Sequence, residues 1–275
     1  MKTMLAAART AVLVVWMAVT VAPFAVASML LSLVVRGAPP YWTAIAWARL
    51  SNWGLRVFCG VHVRRKGWER IESLHARNQP VILCSKHQST WETLAYPGLM
   101  PRPLAFVFKK ELLRIPFFGW ALGRLDMIHI DRSKRGEAGA KVARQGQELM
   151  NKGLWVIMFP EGTRIARGEQ GEYKLGAARL ALATRTPIVP MAVASARCWP
   201  KKGLIKWPGV VDVSVGEPIS PQGHTPESLM RAVESWIEAE MRSIDPDAYP
   251  DACPGSCEAP RRHNTAAQGT QGARA

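Results

Sequence analysis

The sequence predicts an α/β fold: a layered domain with a mixed, largely parallel sheet flanked by helices, preceded by an N-terminal hydrophobic membrane segment. Three observations lead there. Beyond residue 60, short apolar or β-branched runs alternate with stretches of helical periodicity, as strands joined by crossover helices do. From Ala11 to Val35 the chain is uncharged and almost wholly apolar. The length of 275 residues accommodates one large α/β domain with appendages, and nothing repeats at a solenoid or propeller period.

The apolar segment comes first. As one helix it would measure about 37 Å, more than a bilayer core of about 30 Å, so a tilted transmembrane helix fits. Pro23 sits at its centre and favours a kink, which leaves open two half-helices of about 12 residues each, dipping into one leaflet. Lys2, Arg9 and "AVA" at 25–27 also imitate a signal peptide cleaved after Ala27. Against cleavage, the run continues through "SMLLSLVV", which a secreted chain would have to hide. A retained anchor is the expectation. In "YWTAIAWARLSNWGLRVF", Trp42, Ile45, Leu50, Trp53 and Val57 recur near helical spacing among Arg49 and Arg56. Such a helix suits either the domain core or the headgroup zone. Arg36, Arg49, Arg56, Arg64, Arg65 and Lys66 after the apolar run outnumber Lys2 and Arg9 before it. That bias places the main domain on the cytoplasmic side of the inner membrane.

The body of the chain follows. Strands are expected at 61–65, 80–85, 104–108, 127–130, 154–159, 187–193 and 210–216, and helices near 67–77, 90–96, 134–151 and 174–184. The last helix is the best marked. Thr225 caps it, Pro226 takes its first position, and Leu229, Val233, Trp236, Ile237, Met241 and Ile244 form one stripe. Pro190 inside "PIVPMAV" implies an edge strand or a bulge. The composition then turns to Pro, Gly, Gln, Arg and Ala. Residues 1–58 thus read as membrane anchor and interfacial helix, 59–245 as the α/β domain and 246–275 as a disordered tail.

The charge narrows the partners. Lys and Arg number 36 against 21 acids, a formal net charge of +15, which calls for an anionic partner. Nucleic acid is not the expectation. No basic stripe with stacking aromatics appears, and most tryptophans lie near the apolar end. Cys59, Cys84, Cys198, Cys253 and Cys257 are scattered, suggesting neither a disulfide framework nor a metal site. No sequence feature specifies an oligomeric state.

Candidate chemistry sits at the strand exits, where α/β domains bind ligands. "SKHQSTWET" (85–93) places His87 after a strand and Glu92 in the first turn of the next helix. Imidazole titrates near about 6.5, so a histidine accepts a proton at neutral pH, and a carboxylate on its second nitrogen would orient it. The competing reading is a capping box, in which Glu92 satisfies the Ser89 N–H. Glu92→Gln is then expected to keep the cap and lose only the charge. "FPEGTR" (159–164) is a tight turn after another strand, and its N–H groups and Arg164 suit a phosphate. "MIHI" ends in Asp131–Arg132, placing a further guanidinium at a strand terminus.

These blocks together, "HQSTWE", "KKELLRIPFFG" leading to "HIDR", "FPEGTR" and "IVPMA", resemble the glycerophosphate acyltransferase superfamily, and most nearly its bacterial 1-acylglycerol-3-phosphate acyltransferases. The likeness runs from about residue 80 to 193. The chain departs from that family's His-x4-Asp in carrying Glu92.

The resemblance implies an enzyme without a bound cofactor or metal. It would move an acyl chain from acyl-CoA or acyl-carrier protein to the free hydroxyl of lysophosphatidate in the bilayer, giving phosphatidic acid for phospholipid synthesis. The same mechanism accommodates another acceptor, such as a lyso-ornithine lipid or another lysophospholipid. His87 would be the general base and Glu92 its orienting partner. Arg132 and Arg164 would bind phosphate, with Glu161, Gly162 and Thr163 shaping the pocket and Lys110 and Lys174 adding charge. Cys84 reads as a buried small hydrophobe rather than a nucleophile.

Overall fold

The computed structural model describes residues 1–35, 37–130 and 135–250, with the backbone alone over 108–111, 129–130 and 135–141. Seven strands form one sheet in the order β1 (Val61–Lys66), β7 (Gly209–Val215), β6 (Ile188–Val193), β2 (Ile82–Ser85), β5 (Trp155–Met158), β3 (Leu104–Lys109), β4 (Ile128–Ile130). Neighbours run parallel except β6 and β7, which are antiparallel. The expected mixed, largely parallel sheet is present, and all seven expected runs are strands.

The helices divide between the faces of the sheet. Side chains alternate along a strand, so Leu83 of β2 faces one layer while Ile82 and Cys84 face the other. On the Leu83 side pack α1 (Lys2–Val34), α2 (Ala38–Cys59), α3 (Trp68–Ala76) and α4 (Trp91–Leu99), through Leu13, Leu55, Ile71 and Trp91. The opposite layer holds α6 (Arg135–Asn151), α7 (Gly176–Thr184) and α8 (Pro226–Ile244), through Leu149, Leu180 and Val233. Covered on both faces, the central strand is a continuous apolar run rather than an alternating one. One short helix, α5 (Phe118–Leu122), carries no periodicity long enough to read in advance. At the start of α8, the Thr225 hydroxyl accepts the Ser228 N–H while the Ser228 hydroxyl accepts the Thr225 N–H. Leu229, Val233, Ile237 and Met241 are fully buried on its inner face.

The structure decides three points. Of the edge strand or bulge expected at Pro190, the irregularity is what is found, for β6 is an interior strand. The proline's missing donor does no harm there because β7 ends at Val215, opposite Met191, and the chain next meets β6 through Ile219 on Ile188. Three steps along β6 face four along the partner, so an irregularity falls beside the proline, whose carbonyl still accepts from Gly216 N–H at 2.9 Å.

Second, of the two forms left open for the apolar run, α1 is the single helix, 33 residues long with Pro23 inside it. A proline removes one intrahelical bond, and the helix continues through it packed along α2. Trp16 meets Trp53 and Phe58 at ring separations of 5.9 and 5.8 Å, in space left by Gly54, where a Cβ would stand 3.0 Å from the indole. Ser28 Oγ also donates to the Pro40 carbonyl. The helix is not a free-standing anchor, since Lys206 N–H donates to Thr10 Oγ1 at 2.8 Å and Leu13 belongs to the domain core. Its outer face exposes Val12, Val15, Val19, Leu30 and Leu33, and α1 is long and apolar enough to cross a membrane. The expected stripe of α2 likewise splits, with Ile45 turned inward and Trp53 and Val57 exposed.

Third, ordered chain continues past the boundary expected at 245. Asp245 is buried between Arg167 and Arg197, at 2.7 and 2.9 Å, and a helical turn at Pro246–Ala248 brings Tyr249 against the core. Residues 251–275 of the expected tail lie outside the described residues.

Candidate active site

Strand order explains why distant motifs meet. β6, β2 and β5 are adjacent and parallel, so their carboxyl ends open on one edge of the sheet. β2 delivers His87 and Glu92, β5 delivers Phe159 to Arg164, and β6 delivers Ser195.

Glu92 is fully buried, and every group facing it is a donor. Oε2 lies 3.2 Å from His87 Nδ1 and 2.9 Å from Ser89 N–H. Oε1 accepts from the N–H groups of Gln88 and Ser89 at 3.2 and 3.1 Å, and from the Ser195 hydroxyl. A carboxylate only accepts, so His87 carries its proton on Nδ1 and keeps Nε2 as the proton acceptor. The cap and the dyad are therefore one arrangement, not alternatives. Ser89 Oγ takes the Trp91 N–H at 2.9 Å, and helix α4 begins there. The His87 ring stacks on Phe159, with centroids 4.0 Å apart and an interplanar angle of 18°.

The β5 exit folds onto the same loop. Gly162 N–H closes a turn on the Phe159 carbonyl, with Gly162 at φ +66°, a conformation that glycine adopts without strain. Ile165 N–H donates to the His87 carbonyl at 2.7 Å, and Arg164 Nη1 donates to Thr90 Oγ1 at 2.8 Å. Arg164 and Thr163 are exposed. The exposed Lys174 passes over Gly162, its Nζ 3.3 Å from where a Cβ would stand. Arg164 thus touches the loop that follows His87, and Lys174 stands over Gly162 in the adjoining turn.

Glu161 is placed differently. It is buried beneath that surface, accepting His87 N–H on Oε2 at 2.9 Å and pairing through Oε1 with the buried Lys86 ammonium at 2.7 Å. Burial pushes its carboxyl above the usual range, and the charge of Lys86 and the bond from His87 N–H pull it partly back. Arg132 lies outside the described residues, as does the side chain of Lys110. Cys84 is buried, and burial together with Glu161's charge pushes its thiol well above the ordinary value, which suits packing rather than nucleophilic attack.

Sequence reasoning did not find Ser195, Lys86 or the stacking role of Phe159. Ser195 stands just past a strand end, where it could have been suspected. Lys86 adjoins the histidine, but nothing in its neighbourhood signals burial. Among the described residues no group of three or more His, Cys, Asp or Glu side chains is arranged to hold a metal ion.

An apolar cavity of about 300 Å³ opens beside this loop. Met17, Val21 and Phe24 of α1, Ile45 and Ala48 of α2, and Phe118, Ala121 and Leu122 of α5 line it. Thr90 and Phe106 also line it. Phe106 lies 6.4 Å from Phe159 between ring centroids, and Phe159 carries the His87 ring, so the apolar lining connects to the imidazole through two aromatic rings.

Comparison with known proteins agrees with this geometry. The family model described as Acyltransferase matches residues 47–194. A 1-acyl-sn-glycerol-3-phosphate acyltransferase of Pseudomonas aeruginosa is 40% identical over 203 residues, 73% of this chain and 77% of that protein. The human 1-acyl-sn-glycerol-3-phosphate acyltransferase alpha is 32% identical over 182 residues, 66% of this chain and 63% of that protein. The crystal structure of the 1-acyl-sn-glycerophosphate acyltransferase of Thermotoga maritima superposes with a TM-score of 0.72 at 23% identity, covering 89% of this chain and 98% of that one, and shares the fold. With a histidine–carboxylate pair linked through Phe159 and Phe106 to an apolar cavity and a family match across its central strands, this chain belongs to the acyltransferase family, among the 1-acyl-sn-glycerol-3-phosphate acyltransferases.

Proposed function

We propose that the protein transfers an acyl chain from a thioester of coenzyme A or acyl-carrier protein to the free hydroxyl of 1-acyl-glycerol-3-phosphate, producing phosphatidic acid. The observation that carries this reading is the His87–Glu92 contact of 3.2 Å, joined to the apolar cavity through the rings of Phe159 and Phe106. The acceptor hydroxyl attacks the thioester carbonyl as its proton passes to His87 Nε2. Glu92 offsets the positive charge that develops on the imidazole. The tetrahedral intermediate then expels the thiolate, which recovers the proton from His87. Arg164 and Lys174 bind the acceptor's phosphate, together with Arg132 and Lys110.

The donor's hydrocarbon chain occupies the cavity. Ala48 is buried and lines it from α2. Ala48→Phe is therefore expected to reduce turnover of long-chain donors relative to short-chain ones by about tenfold or more. An unchanged ratio in a folded variant would place the chain elsewhere. The exposed apolar face of α1, with Trp53 and Val57 beside it, holds the enzyme at the bilayer. The basic flank after α1 supports a domain on the cytoplasmic side, where both thioesters occur.

The deciding experiment offers several thioester donors and a panel of acceptors to purified membranes containing the enzyme. Lysophosphatidate is expected to be the preferred acceptor. Preference for a lyso-ornithine lipid or a zwitterionic lysophospholipid would retain the mechanism and overturn the acceptor.

A further inference from the structure

Beneath the catalytic loop lies an ionic cluster that the acyl-transfer scheme does not use. Lys86, immediately before His87, has no solvent exposure. Its Nζ lies 2.7 Å from Oε1 of Glu161 and 2.7 Å from Oε1 of Glu238 on α8, and donates to the Glu169 carbonyl at 3.2 Å. Tyr173 OH donates to the same Glu238 oxygen at 2.8 Å. The second oxygen of Glu161 accepts the His87 N–H at 2.9 Å. An unbroken chain of polar contacts therefore runs from helix α8, through an ammonium and a carboxylate, to the backbone of the proposed base.

A buried ammonium is costly, and hydrophobic replacement of buried ion pairs often leaves a protein as stable or more so. Stability alone is thus a weak account of Lys86. Its geometric consequence is specific. Without the ammonium, Glu161 and Glu238 become neighbouring buried carboxylates with no cation between them, and Glu161 must take up a proton or turn away. Either change weakens the acceptor that holds His87 N–H.

Resting on the acyl-transfer reading, we propose that Lys86 is a positioning residue. Its ammonium fixes the Glu161 carboxylate against the His87 backbone, and so holds the imidazole in line with Glu92. Glu238 anchors Lys86 from the opposite layer. Glu161 then acts under the loop rather than on the phosphate.

The test uses the full chain in membranes or detergent, with lysophosphatidate as the varied substrate. Glu161→Gln is nearly isosteric, but an amide has one acceptor oxygen and cannot serve both the ammonium and the His87 N–H. It is expected to lower kcat by roughly 10- to 100-fold, with KM for lysophosphatidate within threefold of wild type, because orientation of the base is lost while binding is kept. Lys86→Met should lower kcat similarly. The double variant should lose no more than about threefold beyond the worse single one, since the two residues act in series. Wild-type kcat in Glu161→Gln, a rise in KM instead of a fall in kcat, or multiplying losses in the double variant would each overturn the proposal. Should Lys86→Met fail to fold, the kcat and KM of Glu161→Gln decide alone. His87→Ala is assayed alongside. If it remains active, the acyl-transfer reading fails; if it is inactive while Glu161→Gln and Lys86→Met are normal, only the positioning role fails.

Discussion

His87→Ala lowers the acyl-transfer rate by about 10²–10⁴-fold, the range by which a positioned general base accelerates proton transfer, while the protein stays folded. The structure explains the separation of the two effects. The imidazole is one-seventh exposed, at 14%, and stacks on one face against Phe159, so its removal opens no closed cavity. The backbone bonds of residue 87, from its N–H to Glu161 and from Ile165 N–H to its carbonyl, survive the substitution. Glu92 keeps its bonds from Gln88, Ser89 and Ser195. Acyl transfer by the purified variant and its unfolding midpoint are measured together. A rate near wild type removes His87 from the mechanism, whereas an unfolded protein contradicts the structural argument.

Glu92→Gln has a larger combined effect, on both stability and rate. The carboxylate faces donors only: two backbone N–H groups, the Ser195 hydroxyl and His87 Nδ1–H. A glutamine presents one oxygen and an NH2 group, so a donor must face a donor wherever the amide is turned. Hydrogen bonds to a charged group contribute about 1.5–3 kcal/mol each, and a stability loss of that order is expected. If the NH2 group faces the imidazole, Nδ1 becomes the acceptor and Nε2 the protonated nitrogen, which removes the base. A fall in kcat of about 10³-fold or more follows, as for a triad whose aspartate becomes asparagine. The expectation that glutamine would preserve the cap is thereby revised, since the cap and the dyad share both oxygens. Chemical denaturation with kcat on the same preparation checks both parts. Wild-type turnover with normal stability would leave Glu92 with neither role.

Much of the fold was legible in local patterns. Apolar runs with strand lengths, helical stripes such as Leu229–Val233–Ile237 and the Thr225 cap depend on residues within a few turns of one another. Pro190 and Pro23 were legible as irregularities, but whether each broke its element was not. The outcome depended on which neighbour lay opposite the missing N–H, and on the surface along which the helix packed. At the site, His87, Glu92 and Arg164 stood out because strand exits and turn residues mark themselves. Lys86 did not, because a lysine in a polar loop reads as solvated until the helix that covers it is placed.

The sequence by itself determined the alternation of strands and helices, the long apolar N-terminal run, and the position of a histidine and a carboxylate just past a buried strand. Those features follow from side-chain periodicity and turn chemistry, which act over short windows. Only the tertiary structure decided that β6, β2 and β5 lie side by side, that Ser195 reaches Glu92 across 103 positions, and that Glu238 reaches Lys86 across 152. Strand order is set by how crossover helices pack on the two faces of the sheet, a property of the whole chain that no short segment encodes.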